Sequence, residues 1–294
     1  MININDINIR DPFILKEEGY YYLYGTNKIQ GVKRGFYGYK SKDLINFEGP
    51  YPLYVPNDYD GVFWAPEVYK YQGKYYLIGT LDKENKVRKS YIFISDNPIG
   101  EFVPYIQEPI TPLDWHCLDA NLFVDEDGTP YLTFCREWIE VKNGRMYIAK
   151  LSKDLKKIIE EPKLLFEAKD AKWVGCICGY GYVTDGPFIY KKDNKYYMLW
   201  SSYNDNTYAI SVISSDNIYG PWMQEEKPYL SIDGGHGMIF KDGGKVYLAI
   251  HAPNSINAGL KVILFDENAE RYYISKWKGN KFILIWYLQS RQIK

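Results

Sequence analysis

The segment Asp11-Pro12-Phe13-Ile14-Leu15, followed by Gly19-Tyr20-Tyr21-Tyr22-Leu23, indicates the fold class, because the same pattern returns four more times along the chain. Each copy has an apolar strand, a charged turn with Gly or Asn, and a tyrosine-rich strand. The later copies start at Ala65, Asp119, Gly186 and His236. Runs of Val, Ile, Tyr and Phe bounded by Gly, Asp and Asn are typical of β-hairpins. The repeat therefore predicts five hairpins of one design.

The spacing of the copies indicates how the hairpins assemble. Copies start roughly 50 to 66 residues apart, which suits a four-stranded propeller blade plus loops, since typical blades run ~40–50 residues. A weaker second half with a Ser-x-Asp turn follows the hairpins, as at Ser41 and Ser152. We therefore predict an all-β, five-bladed β-propeller with its pocket at one mouth of the central channel. We expect the segment from Trp277 to Leu288 to form a last strand that closes the ring.

Charge and composition exclude several classes of protein. The 294 residues contain 36 Lys and Arg against 37 Asp and Glu, a net charge of −1, whereas nucleic acids and anionic membranes call for a basic excess. The N-terminus has neither the basic nor the apolar region of a secretory signal. We therefore expect a cytoplasmic protein with no nucleic-acid or membrane partner. We read the four cysteines as reduced thiols; they are Cys117, Cys135, Cys176 and Cys178.

The repeat also predicts which side chains meet. The innermost strand of each blade runs along the central axis, so residues that start those strands converge at one mouth. These positions hold Asp11, Ala65, Asp119, the Asp185-Gly186 pair and His236. Since Ala65 and Gly186 show that the fold does not demand an acid there, the three aspartates point to chemistry. Bulky aromatic residues lie near them in the sequence, namely Phe63, Trp64, Trp115 and Trp173.

Paired carboxylates with aromatic walls suit cleavage of a glycosidic bond. One acid protonates the leaving oxygen while another activates water or attacks the sugar. A third carboxylate raises the proton affinity of the acid by like-charge repulsion. Aromatic faces stack on the apolar faces of sugar rings. The residues therefore predict a glycosidase whose partner is an oligo- or polysaccharide substrate.

The sequence resembles glycoside hydrolase family 43 in the order and spacing of its motifs, over nearly the whole chain. The motifs are Arg10-Asp11-Pro12, Phe63-Trp64-Ala65-Pro66-Glu67, Leu118-Asp119-Ala120-Asn121 and Asp185-Gly186-Pro187-Phe188. The resemblance implies a five-bladed β-propeller and hydrolysis with inversion of α-L-arabinofuranosyl or β-D-xylosyl linkages, terminal or internal. Xylosidases of the family often append a C-terminal β-sandwich. We expect residues 1–294 to be a single catalytic domain without it, which leans toward arabinofuranosidase or arabinan-type activity.

The resemblance also assigns roles to the three aspartates. Asp11 matches the general base, and Asp119 matches the acid that tunes and orients the proton donor. The donor of the family is typically a glutamate, and here that position holds Asp185. Glu137 and Glu67 are therefore alternative donors. The same departure leaves open a carbohydrate-binding propeller that does not cleave its ligand.

Two further implications concern ions and a rival class. His236 matches a family histidine that commonly ligates a hydrated calcium or similar ion; a bond to a backbone carbonyl is the alternative. We expect the chemistry itself to need no cofactor. The invertase-like propellers, which retain configuration, carry Arg-Asp-Pro as a second acid motif after Asn-Asp-Pro. Here Arg10-Asp11-Pro12 comes first, with nine residues ahead of it, which disfavours that class.

Overall fold

A computed structural model describes residues 1–27, 29–83 and 86–265, together with the backbone of two strands at 272–278 and 281–287. The described residues form five antiparallel sheets of four or five strands. In each sheet the first strand of the repeat lies at one edge, and its tyrosine-rich partner lies beside it. The predicted five-bladed propeller is confirmed.

The blades follow one another along the chain. Blade one contains β1 (Ile2–Asn3), β2 (Arg10–Glu17), β3 (Tyr20–Thr26), β4 (Phe36–Ser41) and β5 (Asn46–Tyr54). Blade two contains β6 (Trp64–Tyr71), β7 (Lys74–Leu81), β8 (Lys89–Ser95) and β9 (Val103–Pro104). Blade three contains β10 (Cys117–Val124), β11 (Pro130–Arg136), β12 (Arg145–Lys150) and β13 (Lys163–Glu167).

The last two blades complete the ring. Blade four contains β14 (Asp185–Lys192), β15 (Lys195–Asn204), β16 (Thr207–Ser215) and β17 (Leu230–Ser231). Blade five contains β18 (Gly235–Asp242), β19 (Lys245–Ala252), β20 (Gly259–Leu264), β21 (Tyr272–Lys278) and β22 (Lys281–Tyr287). Short helical segments are α1 (Trp138–Val141) and two 3-10 turns, Ile4–Asp6 and Ala168–Asp170.

The five inner strands surround a common axis. Strand β2 contacts β6, β6 contacts β10, β10 contacts β14, β14 contacts β18, and β18 contacts β2. Apolar side chains fill the space between neighbouring blades, because each sheet must bury both faces against its neighbours. Repeat tyrosines such as Tyr22, Tyr75 and Tyr131 are buried in these layers and therefore serve as scaffold.

The expectation that the segment from Trp277 to Leu288 closes the ring is wrong. Instead of one strand that closes the ring, β21 and β22 form a hairpin at the outer edge of blade five, and Leu288 lies outside the described residues. The ring closes through β2, which packs on β18 and β19, and the backbone N–H of Ile9 donates to the carbonyl of Ala258 at 2.9 Å. The physical reason is that an added hairpin has a free edge to pair with only on the outside of the blade.

All four cysteines are unpaired, with Cys117 and Cys135 buried and Cys176 and Cys178 exposed. In the described part of the chain, every helix is too short or too polar to cross a membrane.

Candidate active site

Each inner strand starts with the same irregularity. The pairing register breaks near its beginning, and one residue there adopts a positive φ between 43° and 55°. Such a backbone costs about 1–3 kcal/mol for a residue other than glycine, and is over-represented at functional sites. The five residues are Asp11, Ala65, Asp119, Gly186 and His236. The bulge therefore turns these side chains toward the shared axis.

Asp185 does not share this position. It is the residue before the bulge and is equivalent to Arg10, Trp64 and Leu118, each of which pairs with the second strand of its own blade. Gly186 occupies the bulge instead. A Cβ there would lie 2.7 Å from Cγ of His236, so the histidine ring occupies the space a side chain would need. Asp185 therefore reaches the site from one residue before the bulge position.

The bulge N–H groups are satisfied by a ring of side chains. In three blades the acceptor is a hydroxyl of the preceding blade: Thr26 Oγ1 for Ala65 (2.7 Å), Thr80 Oγ1 for Asp119 (3.1 Å) and Ser201 Oγ for His236 (2.8 Å). The other two acceptors are His251 Nδ1 for Asp11 (3.1 Å) and Asp119 Oδ2 for Gly186 (3.1 Å). Both exceptions involve a predicted catalytic aspartate.

The three aspartates interact around His236. Its Nδ1 lies 3.3 Å from Asp11 Oδ1 and 3.7 Å from Asp119 Oδ2. The Tyr208 hydroxyl donates to Asp185 Oδ2 at 3.1 Å. Asp119 and His236 are buried, and Asp11 and Asp185 are mostly so. The structure therefore brings together all three acids that the sequence singled out.

The environment separates the protonation states of these acids. Burial acts to raise the pKa of Asp11, but His236, Arg10 and the Thr26 hydroxyl together hold it below its usual value. Asp11 is therefore ionised and able to accept a proton.

The other two aspartates behave in the opposite way. Burial, followed by repulsion from Asp119, raises the pKa of Asp185 to about 8. Burial and repulsion from Asp11 raise the pKa of Asp119 well above its usual value. Asp185 therefore keeps its proton at neutral pH, as a general acid must.

Glu137, an alternative donor, is a buried ion-pair partner. It pairs with Arg88, whose guanidinium lies 4.5 Å from the ring centre of Trp64. Burial raises the pKa of Glu137, and Arg88 opposes that effect. Its Oε2 has no hydrogen-bond partner within the described residues. The geometry thus places Glu137 beside the site and close enough to raise the pKa of Asp119.

Glu67, the other alternative, belongs to a buried network. Its carboxyl bonds the Tyr69 hydroxyl and accepts from Asn121 Nδ2 at 3.1 Å. Asn121 Oδ1 in turn accepts from the backbone N–H of Ile189 at 3.2 Å, so the network ties β6 to β10 and β14. Burial raises the pKa of Glu67 to about 8, against the effect of these hydrogen bonds. Glu67 therefore lies in a hydrogen-bond network that connects neighbouring blades.

The aromatic residues divide into a cleft and a core. Phe63 and Trp64 line a cleft of about 1250 Å³ that also includes Arg10 and Thr26, the neighbours of Asp11 in space. Trp115 instead packs on Tyr147 at 4.8 Å.

Trp173 lies elsewhere, so its expected position against the sugar needs correction. It is 6% exposed, and its ring contacts Trp200 at 5.2 Å in the core between blades three and four. The physical reason is that an indole buries a large apolar area, which favours the interior when no ligand is required to cover it.

The side chains around His236 indicate how well this position suits a metal ion. Among the described residues, no group of three or more His, Cys, Asp or Glu side chains is arranged to hold a metal ion. Nδ1 of His236 faces the carboxylates of Asp11 and Asp119. Calcium prefers six to eight oxygen ligands, which these residues do not supply by themselves. Calcium held by His236 and water therefore stays a prediction, and no step is derived through it.

Sequence reasoning did not assign roles to several residues of the site. Tyr208, Arg10 and His251 were given no role from the sequence. A signal for His251 existed in the repeat: the residues opposite the bulge on the second strands share one register position. They are Thr26, Thr80, Cys135, Ser201 and His251.

Comparison with known proteins gives consistent results. The family described as "Glycosyl hydrolases family 43" matches residues 4–277. The crystal structure of an endo-arabinase from Bacteroides thetaiotaomicron VPI-5482 is 42% identical, with a TM-score of 0.84 over 90% of this chain and 97% of that one. An extracellular exo-alpha-(1->5)-L-arabinofuranosidase from Cellvibrio japonicus is 25% identical over 84% of this chain and 79% of its own length. An extracellular endo-alpha-(1->5)-L-arabinanase of Bacillus subtilis is 24% identical over 86% and 79%.

These comparisons correct the expected location. The expectation of a cytoplasmic protein is wrong, since the two arabinan-cleaving relatives from Cellvibrio japonicus and Bacillus subtilis are both described as extracellular, which points to secretion. The expectation relied on N-terminal residues and unpaired cysteines.

Proposed function

This chain belongs to glycosyl hydrolase family 43 and is a glycosidase, and on that premise we propose that it hydrolyses α-L-arabinofuranosyl linkages of arabinan-type oligo- or polysaccharides with inversion. The similarity to an endo-arabinase and to two enzymes named for α-(1→5)-arabinofuranosyl linkages supports this substrate class. The observation that supports an acid–base pair is the opposed pKa shift of Asp11 and Asp185 around one axis.

The proposed reaction is a single displacement. Asp11 accepts a proton from water while the water oxygen attacks the anomeric carbon. The bond from that carbon to the glycosidic oxygen breaks, and the oxygen takes the proton of Asp185. The products are a sugar of inverted configuration and a free hydroxyl on the leaving chain. Asp11 ends protonated and Asp185 ionised, so one proton passes back through solvent before the next cycle.

Two neighbours support the proposed donor. Asp119 Oδ2 accepts from the backbone N–H of Gly186, the residue next to Asp185, so its carboxyl stays close to the donor. Tyr208 donates to Asp185 Oδ2 at 3.1 Å, which leaves Oδ1 as the oxygen that carries the proton toward the substrate. An aspartate whose proton is retained to about pH 8 can act as the donor, so the shorter side chain does not by itself favour a binding-only propeller.

The substrate and the stereochemistry can be tested together. The purified enzyme is incubated with linear α-1,5-arabinan, with short arabino-oligosaccharides and with β-1,4-xylan, and products are separated by chromatography. We expect release from the arabinans and little from xylan. NMR spectra recorded in the first minutes should show the inverted anomer. Net retention would refute the single displacement, and cleavage of xylan alone would refute the arabinan assignment.

The length of the products addresses endo or exo action. Release of internal oligosaccharides from arabinan would show that the cleft around Trp64 is open to a chain at both ends. Release of arabinose alone would show that one end is closed.

A further inference from the structure

The ring of bulge acceptors departs from the hydroxyl pattern in two places: at Gly186, which bonds Asp119, and where the ring closes on Asp11. Three blades place a hydroxyl opposite the bulge, on Thr26, Thr80 and Ser201. Blade five places His251 there, in register opposite Gly235. This residue accepts the backbone N–H of Asp11 at 3.1 Å and is fully buried. An imidazole differs chemically from the hydroxyl that it replaces at this repeat position, and the difference bears on Asp11.

Hydrogen bonds fix which nitrogen of His251 carries its proton. Nδ1 accepts from the Asp11 N–H, so it must present a lone pair. Nε2 lies 3.1 Å from Oδ1 of Asn254, an acceptor, so it must carry the proton. The Asn254 amide has a second partner, because its Nδ2 donates to the Tyr203 hydroxyl at 2.9 Å. Burial, against the nearby Asp11 charge, lowers the pKa of His251 to about 4, which agrees with a neutral ring.

A neutral ring in this tautomer treats Asp11 differently from a hydroxyl. Nδ1 of His251 lies 3.5 Å from Asp11 Oδ1, but it has no proton to donate to that oxygen. A hydroxyl both accepts and donates. Thr26 does both: it accepts the Ala65 N–H and hydrogen-bonds the Asp11 carboxylate. A second hydroxyl at position 251 would stabilise the carboxylate further and weaken it as a base.

We propose that His251 is a positioning residue for the general base: it holds Asp11 by the backbone while withholding a hydrogen bond from its carboxylate, and Asn254 fixes the tautomer that makes this possible. The proposal rests on the proposed role of Asp11. Other groups around Asp11 are Arg10 from β2, His236 and Asp119 from β18 and β10, and Tyr208 from β16. Tyr208 stacks on His251 at 5.6 Å and donates to Asp185, so base and acid share this support.

The tautomer can be observed without any assay of activity. Two-bond ¹H–¹⁵N correlation spectra of ¹⁵N-histidine-labelled protein distinguish a protonated Nε2 from a protonated Nδ1 for each of the three histidines. His251→Thr assigns the signal by its loss. We expect the Nε2–H tautomer in the wild type, and population of the Nδ1–H tautomer in Asn254→Leu. An Nδ1–H or doubly protonated ring in the wild type at pH 7 would overturn the proposal.

Kinetics then separate positioning from a purely structural role. His251→Thr places at this position a hydroxyl like those of Thr26, Thr80 and Ser201. The hydrogen bond from the backbone N–H of Asp11 and the fold should therefore be kept. We nevertheless expect kcat to fall on the order of 10-fold to 10²-fold with little change in KM. The added hydroxyl would lower the proton affinity of the Asp11 carboxylate and move it from its position. The acidic limb of the kcat/KM profile should move to lower pH. Wild-type kcat and an unmoved profile in a folded His251→Thr protein would show that the backbone bond is all that matters, and would refute the proposal.

A second variant separates this proposal from the proposed function. Asp11→Asn should abolish turnover while the His251 spectrum keeps its Nε2–H signal, because the backbone N–H of residue 11 is unchanged. Full activity of Asp11→Asn would refute Asp11 as the base and leave the spectroscopic result for His251 standing. Absence of the Nε2–H signal in an active wild type would refute the proposal for His251 and leave the role of Asp11 standing.

Discussion

Replacing Asp185 by Asn tests the assignment of the proton donor most directly. The carboxyl keeps its proton to about pH 8, so about nine-tenths of the molecules carry it at pH 7. Loss of a general acid costs typically 10²–10⁴-fold in rate. We expect that loss in kcat/KM on arabino-oligosaccharides, whose leaving oxygen is a poor leaving group. An aryl arabinofuranoside with an activated leaving group should lose far less, because it needs little protonation.

The same substitution should change stability with the opposite sign. The folded protein holds the pKa of Asp185 above its ordinary value of 3.8, so the stability associated with the neutral carboxyl is present below pH 3.8 and lost as pH rises toward 8. At pH 7 that loss amounts to about 4 kcal/mol at most, at about 1.4 kcal/mol per pH unit. Asn does not ionise, so Asp185→Asn should unfold at higher urea than the wild type at pH 7 and equally at pH 4.

Glu137 provides the matched control for this assay. Glu137→Gln removes the buried charge beside Arg88 without changing the size of the side chain. If Asp185 is the donor, the loss in Glu137→Gln should be similar for good and poor leaving groups. The reasoning is refuted if Glu137→Gln shows the strong leaving-group dependence and Asp185→Asn does not.

Three further predictions follow from the placement of other residues. Glu67→Gln should keep kcat within a few-fold, because a neutral amide can replace a protonated carboxyl against Tyr69 and Asn121; a loss above 10²-fold would restore Glu67 as a candidate acid. Trp64→Ala should raise KM with little loss of stability, whereas Trp173→Ala should cost about 3–5 kcal/mol in urea unfolding, and equal stability effects would contradict the cleft and core placement. Added calcium should raise the Tm of the wild type and not of His236→Ala, and an equal shift in both would exclude His236 as its ligand.

Much of the fold could be predicted because the repeat is local. Each hairpin has its own strand pattern and turn in the sequence. Five copies therefore predict five blades without any knowledge of the contacts between them. The outer edge was predicted less well. The strands β21 and β22 join blade five outside the repeat, where no periodic signal specifies the neighbour.

The candidate site shows the same division. Its three aspartates could be found because they stand at or beside equivalent positions of the repeat. Their different protonation could not, since the pKa of Asp185 depends on burial and on Asp119, which is 66 residues away in the chain. Likewise, nothing local to Trp173 distinguishes a ring that stacks on a sugar from one that packs on Trp200.

The all-β repeat, the number of blades and the family could be read from neighbouring residues, as could the equivalent positions of three aspartates, because strand periodicity and motif order are local properties. The opposed pKa shifts of Asp11 and Asp185, the buried network of Glu67 and the contact between His251 and Asp11 appear only in the three-dimensional arrangement. Those outcomes depend on burial and on hydrogen bonds between blades. His251 and Asp11, 240 residues apart, meet only because the ring closes.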